Sequence, residues 1–445
     1  MHKYRAFPRR SRVTRVRTPP HNGHMVNDAP ADTSPPRIGL LLTGGGARAA
    51  YQVGVLQALA ELRRSRAPGA PPSSPFTIIT GTSAGAINAA SLACGADDFD
   101  LAVQRIVSVW QDIEAGQVYE ADLLSVLRSG ARWMSLLSLG WLIARWRRIK
   151  PRSLLDNSPL EELLHEMVPL ERLPTLIAQG HLHALAITAS SYSSGRHVTF
   201  FQGNEQLQPW VRSQRLAVRD RITHEHLLAS SAIPFVFPAK ALPINEGIEY
   251  FGDGSMRQTA PVAPAIHLGA ERIVVVGAGR MSEPRDALLR SAPTSYPSLA
   301  QIAGHAMSSI FLDALAVDIE RIRRINQTLN LIPREARQAS ALRPVELLVI
   351  SPSERIDQIA AKHASALPHA VRSLLGGLGV SSSKADIKGG ALASYLLFEA
   401  AYTRELMAMG HADTLRQEDE VCRFFGWDLA PAQPREERRR DPLRI

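Results

Sequence analysis

At 445 residues and 45% hydrophobic composition, the chain has material for one large globular domain or two ordinary ones. Its formal charge of +9 is gathered in the N-terminal arm, around 145–152 and in the "REERRR" tail, without aromatic interleaving, which excludes a nucleic-acid module and favours an anionic membrane surface as partner. The two cysteines, Cys94 and Cys422, are far apart and lack metal-ligand spacing, so no disulfide framework is expected and a cytoplasmic protein, peripheral on the inner face of the membrane, fits.

Residues 1–36 are basic, lack the apolar core of a secretory signal and show no periodic pattern. They are expected to form a disordered arm, with Met25 as a second candidate start. "RIGLLLTGGG" (37–46) reads as a buried strand ending in glycines, and the next stretch sets Tyr51, Val55, Leu56 and Leu59 at helical spacing. "RAPGAPPSSP" (66–75) then returns the chain to a second buried strand at Phe76. Strand, helix and strand in succession imply a parallel pair and an α/β architecture.

Residues 98–168 read as a mainly helical insertion over the sheet, with a capping box at Ser158-Pro159-Leu160-Glu161. "HALAITASSYSS" and "RHVTFFQ" are two strands about a turn at Ser194-Gly195. "THEHLLASSAI" is a short helix stopped by Pro234, "IEYFGDGS" a strand running into a glycine turn, and "ERIVVVGAG" another buried strand. From 281 to 428 the pattern is helical again, an extension packed on the core, and 429–445 is a disordered basic tail.

The glycine loop admits three readings. Gly44, Gly46 and Ala49 match the loose dinucleotide fingerprint, but that fold requires an acidic residue ending the next strand, where this chain has Thr80-Gly81. Tight strand-on-helix packing accounts for one or two of the glycines. Three consecutive amides free of side chains, at the positive end of a helix, suit an anion.

"GTSAG" (81–85) holds Ser83 between glycines at a strand-to-helix turn, the context of a nucleophile elbow, though a simple Gly/Ser turn has the same letters. A serine nucleophile needs a base. His267, His305 and His411 follow in the order a Ser-His-Asp enzyme would use, yet none lies in a strand-end glycine loop; Asp253, between Gly252 and Gly254 at a strand end, is better placed.

In order, "GGGARAAYQVGVL", "GTSAGA", "LLASSAIPFVFP" and "FGDGSMRQTAPVAPAIHLGA" resemble the sequence blocks of bacterial patatin-like phospholipases. The resemblance implies a three-layer fold with a mainly parallel central sheet in a catalytic domain at 37–280. It implies a dyad without histidine, with Ser83 as nucleophile and Asp253 as base, and an oxyanion hole at Gly44, Gly45 and Gly46 with Arg48 beside them. No cofactor and no metal are implied. Two positions depart from the family's commonest pattern: Ala49 stands where a glycine is usual, and Ser255 where glycine or alanine usually follows Asp-Gly. The implied reaction is hydrolysis of fatty acyl esters of phospholipids, lysophospholipids or related lipids through an acyl-enzyme. A catalytically silent lipid-binding protein is the alternative that an intact Ser83 and Asp253 oppose; the missing acidic residue opposes a nucleotide-dependent enzyme.

Other stretches carry less. His224-Glu225-His226 and His181-Leu182-His183 lack metal-site spacing. Residues 392–409, with Tyr395, Leu396, Tyr402 and Leu406, could touch lipid but fit core packing better. The apolar run 133–146 is shorter than the roughly 20 residues of a membrane span. Around it, in 132–150, Trp133, Trp141 and Trp146 adjoin Arg145, Arg147, Arg148 and Lys150; a membrane-interface helix bordering the acyl site and a buried helix with a charged end both fit.

Overall fold

The computed structural model describes residues 36–120, 153–244, 247–280, 299–333, 336–337, 340, 342–377 and 390–427. The arm to residue 35, the segment 132–150 and the basic tail lie outside them.

Strand β1 (Ile38–Leu42) sends Leu40 and Leu42 into the core on one face of the sheet and Leu41 into the core on the other. Both faces are therefore covered, and the elements that follow supply the cover. A short 3₁₀ turn (Gly46–Ala49) leads into α1 (Ala50–Arg66), which is buried along most of its length. After β2 (Ile78–Thr82) come α2 (Ala84–Ala93), α3 (Phe99–Gln111), α4 (Ser158–Met167) and α5 (Leu173–Ala178). Four strands follow, β3 (Ala184–Ser191), β4 (His197–Gly203), β5 (Val211–Arg212) and β6 (Arg215–Arg219), then α6 (His224–Ser230) and a hairpin of β7 (Lys240–Ile244) and β8 (Gly247–Asp253). The chain continues through α7 (Ala263–His267), β9 (Arg272–Val276), α8 (Leu299–Ser308), α9 (Ala314–Leu331) and β10 (Glu346–Ile350). It ends in α10 (Ile356–His363), α11 (His369–Gly377), α12 (Gly390–Leu396), α13 (Ala400–Arg416) and α14 (Glu418–Phe425).

The sheet order is β10-β9-β1-β2-β3-β4-β6-β5, parallel from β10 to β3. β4 turns antiparallel to β3, and β8 also pairs antiparallel with β3. With helices on both faces this is a three-layer α/β fold. The C-terminal helices are part of it, since Tyr51 of α1 donates its hydroxyl hydrogen bond to Asp413 of α13 at 3.0 Å.

Some local features differ from the sequence reading. "ELLVI" forms strand β10 inside a region whose pattern reads as helical; its four-residue apolar run has no periodicity that separates strand from helix, and its pairing with β9 decides. The box expected at Ser158 is displaced. Asp156 accepts hydrogen bonds from the Ser158 amide (2.9 Å) and hydroxyl (2.6 Å), so the upstream carboxylate takes the helix start and Ser158 becomes its first residue. Residues 392–409 are split by an extended Glu399, which bridges to Glu114.

Candidate active site

Strand β2 is buried throughout and ends at Thr82, so the chain must leave the sheet at Ser83. It does so with Ser83 at φ 56°, ψ −133°, a conformation that costs a non-glycine residue about 1–3 kcal/mol and persists only where its surroundings impose it. The Ser83 amide donates to Ser230 Oγ at 2.8 Å. Gly85 permits the turn to press on the end of β1, where a Cβ would lie 2.4 Å from the carbonyl oxygens of Leu42 and Thr43.

The register along β3 brings the aspartate to this turn. Thr82, the last residue of β2, stands opposite Thr188, and the next residue of β3, Ala189, stands opposite Asp253, the last residue of β8. Two strands arriving from opposite directions thus end head to head on one edge of β3, one delivering Ser83 and the other Asp253. The Ser83 hydroxyl donates to Asp253 Oδ2 at 2.5 Å, and the Ser255 amide donates to Oδ1 at 2.8 Å. Asp253 is fully buried, and that burial raises its pKa to about 6, against the lowering effect of the hydrogen bonds from Ser83 and Ser255. It is a stronger proton acceptor than an ordinary aspartate, yet ionised at neutral pH.

The glycine loop borders the same cavity through Gly46. Its two ends are held by their carbonyls: Gln52 Nε2 donates to Thr43 O at 2.7 Å, and Asn88 Nδ2 donates to Ala49 O at 3.3 Å. Asn88 is in turn oriented by Gln52 and by the indole of Trp110, at 3.2 and 2.9 Å. The amides of Gly44 and Gly45 make no hydrogen bond among the described residues. Gly46 has φ +54° and leaves no room for a side chain, since a Cβ would sit 2.2 Å from the carbonyl oxygen of Tyr395. Arg48 is placed differently from the rest of the expected oxyanion set. Its side chain is buried against α12, with Nε donating to Ser394 Oγ at 2.7 Å and the guanidinium 4.2 Å from the centre of the Tyr395 ring.

A narrow apolar cavity, open at its mouth, begins at Ser83 and Gly46. Its walls come from α2 (Ile87), α3 (Val109, Trp110), α4 (Leu160, Met167), the loop after α6 (Ile233, Phe237) and Phe398 between α12 and α13. The described ends of the 98–168 insertion therefore line the space beside the serine.

The model of the patatin-like phospholipase family matches residues 40–266, just over half of the chain. The chain belongs to this family. Membership supports a lipid ester hydrolase. No curated protein matches the chain. Among solved structures, VipD from Legionella pneumophila aligns over 87% of this chain and 68% of its own, at 13% identity and TM-score 0.29. Human GIVD cytosolic phospholipase A2, solved with methyl gamma-linolenyl fluorophosphonate, aligns over 88% of this chain and 59% of its own, at 15% identity and TM-score 0.36. The type III effector ExoU of Pseudomonas aeruginosa aligns over 81% and 77%, at 16% identity and TM-score 0.27.

In this patatin domain the other sequence candidates occupy structural positions. His267 stacks on Trp210 at 4.8 Å, and burial, with Arg212 and Arg215 nearby, lowers its pKa to about 4. His411 of α13 pairs with Glu61 of α1, and His305 is exposed on α8. His226 caps its own helix through Thr223, while His224 bonds the carbonyl of Val168. Two buried neighbours of Ser83 and Asp253 escape the sequence reading: Ser230, and His197, whose Nε2 bonds the Gly254 carbonyl at 3.2 Å. Ser230 lies in a block that carries the family resemblance, but nothing in "LLASSAIP" says what the serine touches.

Proposed function

We propose that the chain is a serine acyl hydrolase acting on fatty acyl esters of phospholipids, lysophospholipids or related lipids. The observation that carries the proposal is the Ser83–Asp253 hydrogen bond at the head of an apolar pocket. Asp253 accepts the Ser83 proton as Oγ bonds to the ester carbonyl carbon. The carbonyl oxygen becomes an oxyanion, met by the amides of Gly44, Gly45 and Gly46. Collapse breaks the ester C–O bond, the leaving alkoxide takes the proton from Asp253, and Ser83 is left acylated. Water then gives a proton to Asp253 and adds to the acyl carbon; Ser83 departs with that proton and the fatty acid is released.

Arg48 acts in this scheme as a positioning residue, joining the glycine loop to α12. The catalytic unit accordingly extends beyond 37–280 to the C-terminal helices, which supply Tyr395 behind Gly46 and Phe398 in the cavity wall. Docking on anionic lipid through 132–150 belongs to the proposal on sequence grounds; no helix of the described residues is long and apolar enough to cross a membrane.

The test is covalent labelling by an alkyl fluorophosphonate, read by mass spectrometry. The expected adduct is on Ser83 and absent from Ser83→Ala. Labelling at another residue, or none in the wild type, contradicts the proposal.

A further inference from the structure

The elbow conformation at Ser83 raises the question of what holds it. A strained turn at the start of a helix leaves its amide without an intrahelical acceptor, and at Ser83 that amide is buried. The acceptor is a side chain. Ser230 Oγ takes the Ser83 amide hydrogen at 2.8 Å and passes its own hydrogen to the carbonyl of Thr188 at 2.6 Å. A hydroxyl suits this place because it accepts and donates at once. The same residue reaches the other half of the dyad, since the Gly254 amide donates to Ser230 O at 3.1 Å, and two residues on, the Asp253 amide donates to Ala232 O at 2.9 Å. Ser230 is fully buried at the last residue of α6.

We infer that Ser230 is a positioning residue that locks nucleophile and base into one frame, its side chain holding the Ser83 amide and its main chain holding the loop after Asp253. This inference rests on the hydrolase reading of the same site. The backbone part of the frame survives any substitution, but the bond to Ser83 depends on the hydroxyl. Without it the turn relaxes, Oγ drifts from Asp253 Oδ2, and the hydrogen bond that lowers the Asp253 pKa is weakened. Two consequences follow that lost folding alone would not produce. Acylation slows while the fraction of reactive enzyme stays complete, and the acid limb of the rate profile moves to higher pH.

The experiment compares wild type, Ser230→Ala and Ser230→Cys in the full chain, following the rate and final stoichiometry of fluorophosphonate labelling from pH 5 to 8. The cysteine keeps the volume but offers sulfur, a weak acceptor, and carries the test if the alanine variant does not fold. The expected result is labelling to full stoichiometry in both variants, about a hundredfold slower in S230A and intermediate in S230C, with the acid limb raised. Wild-type rates and an unmoved acid limb in the folded variants overturn the role of Ser230 alone. A wild type that does not label overturns the hydrolase reading and this inference with it.

Discussion

The two turns that meet at the cavity are built in opposite ways. At the elbow the main chain of Ser83 is fully engaged, its amide with Ser230 and its carbonyl with the Ala86 amide at 2.8 Å, and the backbone is strained. At the glycine loop the end carbonyls of Thr43 and Ala49 are engaged, whereas the Gly44 and Gly45 amides find no partner among the described residues. One turn uses its hydrogen bonds to hold a nucleophile still; the other keeps donors open. The Ser83 amide is thus committed to holding the turn, and in the proposed reaction the loop amides are the donors offered to the oxyanion.

The sharpest break of the comparison is at the elbow. Ser83→Ala and Asp253→Asn should each lower kcat on a soluble ester by about 10⁴-fold or more. The aspartate carries a second signature. Its folded pKa of about 6 lies above the ordinary value near 3.9, so ionisation opposes folding; the penalty is absent below about pH 4 and complete above about pH 6, where it reaches about 3 kcal/mol. The melting temperature of D253N relative to wild type should therefore climb between those pH values and then level off. A constant difference across the range would show that Asp253 does not titrate there.

At the loop, Gly46→Ala should lower kcat by about 10²- to 10³-fold and reduce the melting temperature, because the added Cβ collides with the Tyr395 carbonyl at a left-handed position. An active, equally stable G46A would mean that the loop does not depend on α12. The cavity gives a smaller effect. Phe398→Ala should shift preference towards longer acyl chains by about tenfold in relative kcat/KM, since binding a few more methylenes is a matter of a kcal/mol or two. Equal changes for short and long esters would remove Phe398 from the acyl wall. The smallest effect is expected for His305→Gln and His411→Gln, which should leave kcat within about twofold, the scatter of ordinary surface changes. Loss of activity in either, as deep as in S83A, would argue for a triad.

Legibility in the sequence followed the range of the forces involved. The strands at β1, β2 and β9 are buried on both faces and read as apolar runs, and Ser83 and Asp253 stand out because glycines mark the strand ends where they sit. Their approach to 2.5 Å is set by the pairing of both strands with β3, between residues far apart in sequence. Ser230, Arg48 and Phe398 owe their positions to similar long-range contacts, and a serine, an arginine and a phenylalanine in a helical pattern announce none of them. β10 is a short strand with a four-residue apolar run whose identity depends on a neighbour, and the helix start at Ser158 is decided by Asp156, a competitor two residues upstream.

In the proposed reaction a buried aspartate, not a histidine, takes the proton from Ser83. That step is tested most directly by the pH dependence of Ser83 acylation in wild type and D253N, followed as the burst from a water-soluble ester. The expected result is a wild-type rate that rises through a midpoint near pH 6 to a plateau, and a D253N rate lower by orders of magnitude with that limb gone. The same limb persisting in an active D253N would contradict it.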